Sequence, residues 1–118
     1  MQTFAARAKR IIRGTDILCR LGGDEFVIIM PGTSLRTGYG IAEEIRAATA
    51  SETFALTPGG REILVTISAG LAESADDSQS GHLRRADMAL YRSKQDGRDR
   101  VSVDCAGTAV QERMAGCL

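Results

Sequence analysis

The sequence predicts an α+β domain with helices packed on a sheet. Three observations predict it. Two short apolar runs flank a Gly-Gly turn, as in a β-hairpin. Three segments repeat apolar residues at helical spacing. After an opening helix the order is hairpin, helix, strand, helix, strand, which mixes the two element types. The chain has 118 residues, enough for one domain with a real core.

Each element has its own signal. Residues 3 to 13, TFAARAKRIIR, put Phe4, Ala8, Ile11 and Ile12 on one helical face, and Gly14 is a plausible stop. ILCRL at 17 to 21 and FVIIM at 26 to 30 are the hairpin strands. Pro31 and Gly32 end the second one. Thr33 or Ser34 can cap a helix over roughly 35 to 49, with Leu35, Ala42, Ile45 and Thr49 on one side. Gly38 and Gly40 weaken it locally. Residues 51 to 60 read as a loop, and REILVTISAGL at 61 to 71 as a strand. A helix over about 81 to 96 carries Leu83, Ala86 and Leu90 on its apolar face, and Gly97 ends it. RVSVD at 100 to 104 is a last short strand. The tail from Cys105 onward is weakly patterned and receives no function.

Composition excludes several classes. Lys plus Arg and Asp plus Glu number 15 each, so bulk charge favours neither nucleic acid nor a membrane surface. The longest apolar run, FVIIM, is too short to span a bilayer, and the N-terminus has no signal-peptide pattern. Cys19, Cys105 and Cys117 fit no metal knuckle and read as free thiols in a reducing cytoplasm. His82 is the single histidine and has no ligand partner at useful spacing. No Ser/His/Asp or Cys/His catalytic set can be assembled.

The chemistry concentrates at the hairpin turn. Gly22 and Gly23 let a bulky ligand approach the backbone. Asp24 and Glu25 are hard oxygen donors suited to Mg²⁺, which binds through one or two carboxylates plus substrate phosphates. A metal-nucleotide site is one reading; an ordinary solvated hairpin turn is the other.

The string RLGGDEF, complete from Arg20 to Phe26, resembles the signature of the diguanylate cyclases, the GGDEF family. Other blocks fit the same family in order and spacing. Residues 13 to 16, RGTD, lie five residues before the glycines. VTISAGLA at 65 to 72 matches the family's strand through Ser68 and Gly70. LRRADMALYRSKQDGRDRV at 83 to 101 matches its C-terminal block, including Ala86-Asp87, Tyr91, Lys94 and Gly97-Arg98. One departure is Asp99, where the family commonly has Asn; it adds negative charge near a proposed phosphate grip.

The resemblance implies a ferredoxin-like, palm-type antiparallel sheet with helices packed on it. It also implies that residues 1–104 form a partial GGDEF domain and 105–118 a C-terminal tail. The family's first strand is expected to be missing, and with it an acid that would share the metals with Asp24. Loss of that central strand should leave its neighbours with open edges. The expected parent is a longer protein with an N-terminal sensory or receiver domain.

The implied activity is condensation of two GTP into cyclic di-GMP with release of pyrophosphate. Asp24 and Glu25 would be catalytic and hold Mg²⁺ or Mn²⁺. Gly22, Gly23, Lys94 and Arg98 would bind GTP, the last two through its phosphates. Arg13 and Asp16 would bind inhibitory cyclic di-GMP: Arg13 suits guanine O6 and N7, and Asp16 suits its N–H donors. A surface ion pair at a helix end is the plainer reading of RGTD. One domain holds one GTP, so catalysis implies a homodimer. The alternatives are a non-catalytic cyclic di-GMP-binding module and an inactive fragment of a longer signalling protein.

Overall fold

A computed structural model describes residues 2–22, 25–51, 53–55, 59–73, 79–104 and 113–117. Helix α1 (Gln2–Ile11) leads into the hairpin β1 (Ile17–Gly22) and β2 (Glu25–Pro31), then α2 (Leu35–Ser51). A two-stranded ribbon, β3 (Phe54–Ala55) and β4 (Glu62–Ile63), follows. Then come β5 (Ser68–Glu73), α3 (Gln79–Gln95), β6 (Arg100–Asp104) and β7 (Arg113–Cys117). The main sheet has the order β1-β2-β7-β5-β6. It is antiparallel except for the β5–β6 pair.

The sheet is covered on both faces, which explains why β2 is buried along nearly its whole length. Phe26, Ile28 and Met30 join Phe4 and Ala8 of α1, Ile45 of α2 and Leu71 of β5 in one core cluster. Val27 faces the other way, with Ala72 and with Ala86 and Leu90 of α3. The rings of Phe4 and Phe26 lie 5.1 Å apart at a 51° tilt, the offset geometry that aromatic pairs prefer. Burying each large apolar side chain here stabilises by about 1.5–3 kcal/mol.

Caps set the helix ends. Ser34 is the N-cap of α2: its Oγ accepts from Thr37 N–H at 3.2 Å. Glu73, at the end of β5, adds a carboxylate to the same terminus through Leu35 N–H, which suits the helix dipole. Helix α3 stops at Gly97, whose φ is 117°. Arg98 N–H then donates to Ser93 C=O and Asp96 N–H to Arg92 C=O, the six-to-one closure of a Schellman turn. A Cβ at Gly70 would collide with the α3 backbone at Ala86 O and Leu90 N. Glycine is therefore what lets α3 lie so close to β5.

Two expectations need correction. The run 61 to 71 is not one strand. Glu62–Ile63 pairs with Phe54–Ala55, and the chain enters the main sheet only at Ser68. Its apolar residues are shared between two pairing partners. Second, the neighbours of the expected gap are not left open. Arg113–Cys117, read from sequence as unpatterned tail, forms β7 and bonds both β2 and β5. Two strand edges without partners are a strong template, and they impose a strand on residues whose own preference for one is weak.

Candidate functional site

The registers place the motif residues at two opposite ends of the sheet. One rung runs Val27–Cys117–Gly70–Ser102 across four strands. Beyond it, on the same end, lie the β1–β2 turn and the Gly97–Asp99 segment before β6. The turn and that segment stand three strand spacings apart, about 14 Å. At the other end, Arg13 and Asp16 precede β1, and Thr33 follows β2.

At the turn end, Gly22 closes β1 opposite Glu25, and Leu21 is an extra residue between the Arg20–Phe26 and Gly22–Glu25 pairs. This bulge twists the strand beside the turn. Arg20 and Phe26, the outer letters of the signature, are cross-strand partners. The Arg20 guanidinium lies 6.0 Å from the Phe26 ring centre, so this pair holds the hairpin. Glu25 is exposed. Gly23 and Asp24 lie outside the described residues, as do the side chains of His82, Cys105 and Cys117.

Lys94, in the last turn of α3, and Arg98, just after it, are both exposed. Among the described residues neither side chain has an ion-pair partner. Arg98 and Asp99 hold left-handed backbone angles, φ 62° and 47°, an uncommon pair for non-glycine residues. The Schellman turn fixes Arg98 from one side. Arg46 of α2 fixes Asp99 from the other, at 2.9 Å, while its remaining nitrogens grip Glu43 at 2.9 and 3.2 Å. These two carboxylates, Glu43 first, push the Arg46 pKa above its ordinary value. The charge of Asp99 is thus taken up by Arg46 rather than left facing the basic pair. Sequence reading missed Arg46; Glu43 and Arg46, three apart on a helix, were its only signal.

At the other end the network is closed. Residues 13 to 16 form a turn in which Asp16 N–H donates to Arg13 C=O at 3.0 Å. The Asp16 side chain is 0% exposed and that of Arg13 43%. Asp16 Oδ2 accepts from Arg13 N–H at 2.9 Å and Nε at 3.2 Å, and Oδ1 accepts from Nη2 at 3.0 Å. Arg13 also donates to Thr33 Oγ1, which donates onward to Pro31 C=O. Hydrogen bonding to Asp16 raises the Arg13 pKa. The pair is therefore not a loose surface ion pair, and Asp16 spends its oxygens on Arg13.

The family described as "Diguanylate cyclase, GGDEF domain" matches residues 1–100. The response regulator PleD of Caulobacter vibrioides is 39% identical over 103 residues, covering 86% of this chain and 23% of PleD. Diguanylate cyclase DgcP of Pseudomonas aeruginosa is 38% identical over 104 residues, covering 87% of this chain and 15% of DgcP. The chain thus spans a quarter or less of these relatives. The GGDEF domain of DgcB from Caulobacter crescentus, solved in complex with c-di-GMP, superposes with a TM-score of 0.78 at 30% identity, over 86% of this chain and 60% of that one. The active GGEEF domain of a Vibrio cholerae diguanylate cyclase gives 0.74 at 28% identity, over 90% of this chain and 67% of that one. No helix among the described residues is long and apolar enough to cross a membrane. With the family's match spanning residues 1–100 and its signature complete from Arg20 to Phe26, the chain belongs to the GGDEF family of diguanylate cyclases.

Proposed function

We propose that this domain binds GTP at the turn end of its sheet and, paired with a second copy, condenses two GTP into cyclic di-GMP. The observation that carries the reading is the register: it sets the Gly22–Glu25 turn and the basic pair Lys94 and Arg98 on one end. A span of about 14 Å suits a nucleoside triphosphate lying between them. Lys94 and Arg98, which have no ion-pair partner among the described residues, bind the phosphates. Gly22 and Gly23 let the nucleotide sit against the backbone.

The 3′-oxygen of one GTP bonds the α-phosphorus of the other, the α–β phosphoanhydride bond breaks, and pyrophosphate leaves. The same step in the opposite sense closes the ring. Asp24 helps take the hydroxyl proton. Glu25 is exposed, has no cationic partner among the described residues, and is the hard donor that a divalent cation takes. Asp24 and Glu25 would hold Mg²⁺ or Mn²⁺, which when bound would stabilise the attacking and leaving oxygens. Because it uses GTP, the domain works in the cytoplasm, under a sensory or receiver domain of a longer protein. Arg13 and Asp16 form the inhibitory product site, with Arg13 the guanine-binding group and Asp16 its anchor.

A second reading is a domain that binds cyclic di-GMP without making it. It is favoured by the intact Arg13–Asp16 network and by the sequence of β7, RMAGC, which brings no carboxylate to the centre of the sheet. Incubation of the 118-residue chain with GTP and Mg²⁺, followed by assay for cyclic di-GMP, separates the two. Synthesis that disappears in Asp24→Ala supports the cyclase. No synthesis, with cyclic di-GMP binding that Arg13→Ala abolishes, supports the second reading.

A further inference from the structure

A second arginine, Arg100, stands on the turn that carries Arg98. Side chains alternate between the two faces along β6. Val101 and Val103 pack against the core beneath α2. Ser102 and Asp104 reach α3 instead, through Ser93 and Arg85. Arg100 is in phase with this second set and opens β6 at the turn end, opposite Ser68. It therefore belongs to the α3 face, at the end where Lys94 closes that helix. Asp99, one residue earlier, goes the other way, to Arg46 of α2.

The Arg100 guanidinium has a fixed seat. Its Nε donates to Arg98 C=O at 3.0 Å. A Cβ at Gly97 would stand 2.9 Å from its Nη2 and 3.6 Å from its Cζ, so the group lies against the bare face of the glycine. Two arginines thus brace residues 97 to 99, and they differ in what holds them. Arg46 is gripped by the carboxylates of Glu43 and Asp99, which neutralise it. Arg100 is gripped by a neutral carbonyl, which leaves its charge uncompensated. It is exposed and has no ion-pair partner among the described residues. Asp96, the other acid of this stretch, is exposed and forms no ion pair among them either. A guanidinium has several N–H donors in a planar fork, and one of them is spent here. An arginine already held this way loses less freedom when it binds an anion than a solvated one does.

We propose that Arg100 is a third phosphate-binding residue, acting beside Lys94 and Arg98 on the same polyphosphate chain. The proposal rests on the reading of the turn end as a GTP site. The Nη nitrogens make charge-assisted bonds to phosphate oxygens, while Nε keeps its bond to the Arg98 carbonyl. Arg98 then serves twice: its side chain meets the phosphates and its backbone aims Arg100. Spacing alone does not reveal this role, because the anchor is a main-chain carbonyl that only the left-handed turn presents. A brace that merely holds the turn is the plainer role for Arg100, and it makes a different prediction. Removing a brace acts through Arg98 alone, so it costs nothing once the Arg98 side chain is gone.

A double-mutant cycle on the full chain separates the two, read as GTP and GMP affinity by calorimetry with Mg²⁺. Arg98→Ala keeps the carbonyl that seats Arg100. Arg100→Ala is expected to weaken GTP binding by about tenfold and GMP binding by about twofold or less, because its contacts scale with the phosphates present. Made on the Arg98→Ala background, it should weaken GTP binding by a further several-fold. Arg100→Lys keeps the charge but loses Nε and the fork, and should fall between Arg100 and Ala. Three results overturn the proposal. No further loss on the Arg98→Ala background makes Arg100 a brace only. A drop in GTP affinity relative to GMP in Lys94→Ala but not in Arg100→Ala leaves the phosphate site standing without Arg100. A parent chain that binds GTP no better than GMP removes the GTP site itself, and Arg100 with it.

Discussion

The two ends of the sheet handle charge in opposite ways. At the Arg13 end the carboxylate is buried and three donors of one arginine occupy it. At the turn end Glu25, Lys94 and Arg98 are exposed, and none has an ion-pair partner among the described residues. The difference separates two kinds of charged residue. A buried, saturated carboxylate serves the fold first, because removing its donors strands a charge away from water. Exposed single charges on a fixed frame serve a ligand, because their removal costs the fold little. A ligand at the Arg13 end must therefore use the face of Arg13 that Asp16 leaves free, or compete with Asp16.

The frame beneath the turn end gives the largest expected effect. Gly70→Ala sets a Cβ against the α3 backbone, where no flexible side chain can yield. Overpacking of this kind costs about 1–3 kcal/mol, at times more. The urea midpoint should fall by the corresponding amount, and GTP affinity with it, because α3 carries Lys94. The Arg13 turn should be unmoved. Next comes Asp16→Ala, which removes a buried acceptor of three hydrogen bonds. About 2 kcal/mol of destabilisation is expected, read from the same unfolding curve. A loss under about 0.5 kcal/mol, the range of ordinary surface changes, would erase the distinction between the two ends.

Most of this frame is legible in the sequence. The helices show in the spacing of Phe4 and Ala8, of Ala42, Ile45 and Thr49, and of Ala86 and Leu90, all of them buried. The hairpin shows in its glycine pair. Strand β7 does not show, because RMAGC has neither alternation nor strand preference; its state is set by two edges that are distant in sequence. The Arg13–Asp16 spacing is legible as a pair, but the burial of Asp16 is not. Arg13 also reaches Thr33, just past the end of β2, which only the folded hairpin brings near. The motif letters themselves divide: Arg20 and Phe26 brace the hairpin, while Glu25 stands open to solvent.

The exposed cations should show the reverse of Asp16. Lys94→Ala and Arg98→Ala are each expected to leave the unfolding midpoint unchanged within about 0.5 kcal/mol. Each should weaken GTP binding by about tenfold, the scale of one charge-assisted phosphate contact. Calorimetry at two salt concentrations would check this, since exposed charges lose their pull as salt rises. Lost stability without lost binding would assign these residues to the fold.

The smallest effect is expected at Asp99, and it bears most directly on how the turn end stays open yet ordered. Asp99 is 43% exposed and Arg46 22%, so their bond is worth at most about 1 kcal/mol after solvent screening. Asp99→Asn keeps an acceptor for Arg46 and tolerates the left-handed backbone that this position holds. Asp99→Ala removes the acceptor and fits that backbone poorly. If Arg46 serves to hold Arg98 in place, Asn should keep GTP affinity within about twofold and Ala should lose several-fold, with both melting within a few degrees of the parent. If Asp99 instead acts as a negative charge facing the phosphates, Asn and Ala should both bind GTP more tightly, and the Ala variant as tightly as the Asn. The order of the two substitutions therefore decides whether the left-handed turn or its charge governs the basic pair.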